Sequence, residues 1–176
     1  PPYGDHGTTV AYGQFSKHLG LWLELKDMEE LFAVDSNGLG GKKIKNSTDL
    51  ESPLLDNIFK KIEKKDKKFP KKTNLSNRAE DVYAFFFDLD TCLEQLSQYL
   101  KKGKSHCCFV VGNRTVRREK IPTDEILVEL SKKYDFKHID TIYRTIANKA
   151  IAVKNAPENI SNYSSDTMNK ESIILL

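Results

Sequence analysis

Apolar residues at Phe15, Leu19, Trp22, Leu23, Leu25, Met28, Leu31 and Phe32 recur at helical spacing. They predict a helix over residues 14–31, with a possible break at Gly20. Residues 1–9 carry two prolines and few apolar side chains, and read as loop. Residues 35–52 are polar and hold the cluster Gly38-Leu39-Gly40-Gly41, as a loop or inserted segment does. Ser52-Pro53 opens a short helix over 53–64, with proline in its first turn. Asn77 stands three residues before Glu80, close to a capping box. Behind it Val82, Phe85, Phe86, Leu89, Cys92, Leu93, Leu96 and Leu100 predict a long amphipathic helix, stopped at Lys101-Lys102-Gly103. The apolar run 107–111 has the length of a buried strand, and 113–122 reads as a charged loop. Thr123 is placed to cap a helix carrying Ile126, Leu127, Leu130 and Tyr134. Residues 138–147 alternate as a strand, 148–166 form a polar loop, and 171–176 form a final strand.

The last hundred residues thus order as helix, strand, helix, strand, loop, strand, which is an α/β pattern. With no helix between them, the two final strands are expected to pair antiparallel, ending an otherwise parallel, doubly wound sheet. The chain divides into a catalytic loop and its helix (1–34), a polar lysine-rich insertion (35–76) and a C-terminal core (77–176).

Composition narrows the class. With 39% hydrophobic and 30% charged residues, the 176-residue chain is globular, neither fibrous nor wholly disordered. No apolar run reaches the ~20 residues of a membrane span, so no membrane partner is expected. The start, Pro1-Pro2-Tyr3-Gly4-Asp5-His6, has no apolar signal region. Three cysteines without a Cys-x-x-Cys pair fit a reducing, cytoplasmic setting, where they read as small buried hydrophobes. The four histidines are scattered, and no metal is expected.

Charge is uneven. Eight lysines between 60 and 72, against Glu63 and Asp66, give that stretch +6, so the rest of the chain carries −3 of the total +3. Such a block suits a polyanion, through phosphate contacts and counterion release. It equally suits a solvated lysine-rich loop.

The chain opens on Pro1-Pro2-Tyr3-Gly4-Asp5. This opening is followed by Thr8-Thr9-Val10-Ala11-Tyr12-Gly13-Gln14-Phe15-Ser16, then by Phe109-Val110-Val111-Gly112-Asn113-Arg114-Thr115-Val116 and Ile121-Pro122-Thr123-Asp124-Glu125. Arg144-x-Ile146-x-Asn148-Lys149, Lys154-Asn155-Ala156-Pro157 and Thr167-Met168-Asn169 complete the set. In this order the motifs resemble the site-specific DNA amino-methyltransferases, often found in restriction–modification systems. These methylate the exocyclic amino group of cytosine (N4) or adenine (N6). The resemblance covers nearly the whole chain outside residues 35–74.

It implies a Rossmann-like methyltransferase sheet, here the C-terminal portion with its terminal antiparallel hairpin. It further implies S-adenosylmethionine as methyl donor and double-stranded DNA as partner. Strand 107–111 would be the fifth of that sheet and the last two strands the sixth and seventh. One family feature is missing: the sequence holds no Gly-rich loop of the type Asp-Pro-Phe-x-Gly-Ser-Gly-Thr. Residues 38–41 have no strand before them and are not that loop. An N-terminal half or a separate subunit would then carry the donor-binding loop.

The chemistry asks for few side chains. A proline pair fixes φ and so aims its carbonyls at the amino hydrogens of the target. An aromatic ring beside it stacks on the base, a contact worth ~1–3 kcal/mol, once the base has left the duplex. Pro1, Pro2 and Tyr3 are therefore the catalytic candidates. Asp5 is a candidate for positioning the loop; neither it nor His6 is needed as a base, because water can take the proton. Asn113 and Arg114 follow a strand at the sheet edge where ligands sit. Arg144, Asn148, Lys149 and Asn155 form a second polar, cationic group after a strand. These are the substrate-binding candidates, although Asn113 also suits a plain turn. Lys42, Lys43, Lys60, Lys61, Lys64, Lys65, Lys67 and Lys68 are candidates for phosphate contact.

Two other readings are open from sequence. One is an amino-methyltransferase acting on RNA or on a protein glutamine. The other is a non-catalytic DNA-binding partner that lacks the donor site.

Overall fold

The computed structural model describes residues 18–20, 22–24, 37–42, 49–67, 77–146, 154–155, 165–166 and 168–176. Of the expected first helix, residues 18–20 and 22 are helical; the rest lies outside the described residues.

Helix α1 spans Pro53–Asp66. Proline at its first position leaves no orphan donor, and the Ser52 hydroxyl accepts from the Leu55 amide at 3.2 Å. The same hydroxyl donates to Glu129 at 2.6 Å, tying the start of α1 to a later helix. Leu55, Ile58 and Ile62 form the buried stripe of α1. Helix α2 spans Arg78–Tyr99 and buries Val82, Phe85, Phe86, Leu89 and Leu93. Its N-cap, Asn77, makes no side-chain cap bond, contrary to the capping-box expectation. The Asp66 carboxylate caps it instead, accepting from the Ala79 amide at 2.9 Å.

After α2 come β1 (Cys108–Gly112), β2 (Arg114–Val116), β3 (Glu119–Ile121) and α3 (Thr123–Lys132). They are followed by β4 (Asp140–Thr145), the two-residue pair β5 (Lys154–Asn155) and β6 (Ser165–Asp166), and β7 (Lys170–Leu175). Residues 113–122, expected as a loop, form the β2–β3 hairpin. Its two turn residues, Arg117 and Arg118, both have positive φ, 50° and 60°, as a two-residue hairpin turn requires. That turn ordinarily carries Asn-Gly, so the sequence held no cue to it. Thr123 does not cap α3, because the N-cap position falls on Pro122. Asn113 reaches that end, and its Oδ1 accepts from the Asp124 amide at 3.3 Å.

The main sheet runs β1–β7–β4. The last strand lies in the middle, antiparallel to both neighbours, so β1 and β4 run parallel with β7 between them. The final strands pair antiparallel as expected, and the described residues form a mixed α/β fold whose neighbouring strands are all antiparallel. One sheet face, with Val111, Ser172 and Ile174 in register, is buried with α2 and α3 in a core shared with α1 and the hairpin's Val116 and Ile121. On the other face Val110, Ile173 and Ile142 line up, and Ile142 is exposed. β1 is accordingly less buried than its apolar run implied.

The glycine cluster has a packing role. Gly40 has φ +72°, and a Cβ there would meet Phe85 Cα and Cβ at 3.1 Å. Its amide donates to Asp88 at 2.7 Å, which pins the turn onto α2. The cysteines are free, with Cys108 exposed and Cys92 and Cys107 half-buried, so none is the fully buried hydrophobe expected. Among the described residues, no helix is long and apolar enough to cross a membrane.

Candidate active site at the carboxyl edge of the sheet

Strand register decides which side chains meet. Gly112 ends β1 and pairs with Glu171, and Glu171 pairs with Arg144 on its other side. This brings Asn113 and Arg114, just past Gly112, to the same edge as Arg144, across 30 residues of chain. The edge is the carboxyl end of both β1 and β4, where α/β sheets present ligand-binding loops.

A polar network stiffens the edge on the helix side. Asn113 caps α3 through the Asp124 amide. The Asp124 carboxylate, 3% exposed as a residue, accepts from the Ser172 hydroxyl at 2.6 Å and from the Glu125 amide at 3.0 Å. A buried polar group is costly unless it is hydrogen-bonded, and these donors meet that need. The chain Asn113–α3–Asp124–Ser172 therefore fixes the loop after β1 against β7. Asp124 and Ser172 were missed from sequence; a buried Asp in the first turn of a helix is visible only once β7 is placed beside it.

On the other face, Arg144 donates from Nε to Glu171 at 3.0 Å and from Nη2 to the same oxygen. The Glu171 side chain is 7% exposed and that of Arg144 61%. A fixed carboxylate thus holds the base of a guanidinium whose outer part faces solvent. Glu171 is the third residue that sequence reasoning did not single out. Arg114 is half-buried at the start of β2.

The lysine candidates divide. Lys60 and Lys64 on α1, and Lys67 at its C-cap, are exposed on the side away from Leu55, Ile58 and Ile62, and Lys61 is exposed on the flank of the helix. What read as a lysine block is, in its first half, the solvent face of a core helix. Lys65 turns the other way, donating to Glu119 at 2.5 Å and to the Arg117 carbonyl at 3.0 Å. Lys42 is exposed in the turn after Gly41.

Pro1, Pro2, Tyr3, Asp5, Lys43, Lys68, Asn148 and Lys149 lie outside the described residues, and Asn155 is described only as backbone, paired with Ser165. Among the described residues no strand is followed by a glycine-rich turn that opens a helix, and residues 38–41 are packed onto α2. A pocket of about 250 Å³ lies at the opposite end of the sheet, over Leu100, Phe136, Ile139 and Leu176, with Lys102 bridged to Asp135 beside it. It is remote from the edge residues and does not belong to this site.

No protein-family model matches the chain, and no solved structure matches it at a significant level. A curated protein does. The Type II methyltransferase M.MvaI of Kocuria varians is 41% identical over 184 residues, covering 100% of this chain and 38% of the relative. The chain thus spans about two fifths of the length of the curated relative it matches, in that protein's C-terminal part. Over its whole length this chain is thus similar to the C-terminal part of a type II methyltransferase, a site-specific DNA methyltransferase, the family that its motifs resemble.

Proposed function

We propose that the chain is the target-base and DNA-contact part of an S-adenosylmethionine-dependent enzyme that methylates the exocyclic amino group of cytosine (N4) or adenine (N6) in double-stranded DNA. The single observation that carries this reading furthest is the Gly112–Glu171–Arg144 register. It gathers Asn113, Arg114 and Arg144, far apart in sequence, at one edge of a sheet in a chain related to a type II methyltransferase. The sheet is read as part of a Rossmann-like methyltransferase fold. Its donor site is assigned to protein outside these 176 residues, on another part of the same chain or on a separate subunit.

In this reading the Pro1 and Pro2 carbonyls accept the hydrogens of the target amino group and draw its nitrogen lone pair out of conjugation. Tyr3 stacks on the extruded base. Asn113, Arg114 and Arg144, with Asn148, Lys149 and Asn155, surround the base and its phosphates. Asp5 positions the loop. The exposed lysines of α1 hold the duplex by its backbone, which orients it without reading sequence. No cysteine nucleophile is required, because the amino nitrogen itself attacks.

The Tyr3 series tests the assignment in the full-length enzyme. Tyr3→Ala is expected to lower turnover roughly tenfold to more than a hundredfold, matching ~1–3 kcal/mol of lost stacking. Tyr3→Phe and Tyr3→Trp should keep much of the activity. Equal loss in all three variants would assign the role to the hydroxyl and contradict stacking.

A further inference from the structure

The β2–β3 turn is built from two arginines where the backbone favours Asn and Gly. Arg117 and Arg118 both hold left-handed φ, a conformation that side chains with a Cβ rarely adopt. Arg117 turns inward. Its side chain is 1% exposed, and its Nε donates to Asp66 Oδ1 at 2.6 Å. Asp66 ends α1 and caps α2, so the turn is bolted to the junction of the two helices. Lys65 adds a second tie, to the Arg117 carbonyl and to Glu119.

The consequence is placement. With Arg117 buried, the next residue of the turn, Arg118, is exposed. Across the hairpin Lys120 is exposed as well, opposite Thr115. Lys65 marks the side of α1 on which the turn sits, and Lys61 lies one helical turn before it on that same side. Arg118 therefore stands at the C-terminal end of α1, beside its lysines, and Lys120 lies with Thr115 on the outer face of the hairpin, opposite the face that carries Arg114, Val116 and Glu119. Exposed cationic groups thus continue from the end of α1 onto the hairpin.

We infer that the β2–β3 turn is a second phosphate-contact point, with Arg118 and Lys120 meeting the DNA backbone and the buried Arg117–Asp66 pair holding them in place. The inference rests on the reading of α1 as a DNA-contact helix and extends that surface to a separate element. The partner chemistry is a run of backbone phosphates, not a base edge.

The test is duplex binding by the full-length protein, read by fluorescence anisotropy with a random-sequence duplex between about 50 and 200 mM salt. Arg118→Gly and Lys120→Gln are made singly and together, beside a variant with Lys60, Lys61, Lys64 and Lys67 all changed to Gln. Each hairpin substitution is expected to flatten the log–log salt dependence by about 0.9, the value for one phosphate contact. Arg118→Gly should also leave the melting temperature unchanged or raised, because glycine takes the left-handed backbone without strain. Binding that weakens while stability holds or rises is the signature of a contact residue. An unchanged slope in the hairpin double variant, with a flattened slope in the α1 variant, would overturn the inference and leave the helix reading intact. Unchanged slopes in both would overturn the two together. A flattened slope that comes only with a lowered melting temperature would make the turn a structural element and also overturn the inference.

Discussion

Arg117 and Asp66 form an ion pair at 2.6 Å with side-chain exposures of 1% and 8%, and the same carboxylate caps helix α2. Removing one partner leaves a buried charge uncompensated. Arg117→Ala is therefore expected to cost about 3–5 kcal/mol, measured by chemical denaturation. Asp66→Ala should cost more, since it also strips the α2 cap, a loss of ~1 kcal/mol. If Asp66→Ala proved no worse than Arg117→Ala, the cap would contribute nothing.

Gly40 is the position in the 38–41 cluster where glycine is required. Its backbone is left-handed at +72° and a Cβ would press on Phe85 at 3.1 Å. Gly40→Ala should destabilise by about 1–2 kcal/mol from the backbone conformation alone, and by more once the contact with α2 is counted. A neutral substitution would contradict the close approach.

Tyr134 gives a pH dependence. Burial, then the hydrogen bond its hydroxyl donates to Asp90 at 2.9 Å, push its pKa above the ordinary 10.0. The folded chain keeps this proton where the unfolded chain gives it up. The contribution to stability is full below pH 10 and declines as pH rises past the unfolded value toward the raised one. Denaturation midpoints should fall more steeply across the alkaline range for the wild type than for Tyr134→Phe. Burial raises Tyr83 in the same direction, so some slope remains in the variant.

Arg144 pairs an exposed guanidinium with a buried carboxylate. Arg144→Met takes the cationic partner from a Glu171 side chain only 7% exposed, so it is expected to destabilise by about 1–3 kcal/mol, and its binding is read well below its melting temperature. The same change should weaken DNA binding or turnover clearly, because the guanidinium stands at the candidate site. Glu171→Gln keeps the shape and loosens the guanidinium's anchor, and is expected to give a smaller defect of the same kind. A wild-type KM and kcat in Arg144→Met would remove Arg144 from the site.

Sequence pattern was sufficient for α1, α2, α3, β1, β4 and β7, because each carries its own periodicity. It failed where the partner is distant in the chain. Asn77 offered a plausible local cap, but Asp66 supplies the bond from a neighbouring helix. Thr123 looked like a cap, whereas Asn113 does that work from the junction between β1 and β2, before the hairpin. The β2–β3 hairpin was unreadable because its turn holds Arg-Arg and its strands are short and charged. At the site, Asn113, Arg114 and Arg144 were legible through their motifs. Asp124, Ser172 and Glu171 were not, since what marks them is burial and pairing with residues they meet only after folding. The lysine run showed its charge in the sequence, but not that Lys65 faces the hairpin while Lys60, Lys61, Lys64 and Lys67 face water.

The chemistry of the product tests the central claim most directly. The full-length enzyme is incubated with duplex DNA and S-adenosylmethionine labelled in its methyl group, and the DNA is then digested to nucleosides and resolved by mass spectrometry. We expect the label in N4-methylcytosine or N6-methyladenine, on the exocyclic nitrogen, and its loss in Tyr3→Ala. Label in 5-methylcytosine would require attack through carbon with a cysteine nucleophile, and would contradict the assignment of Pro1, Pro2 and Tyr3.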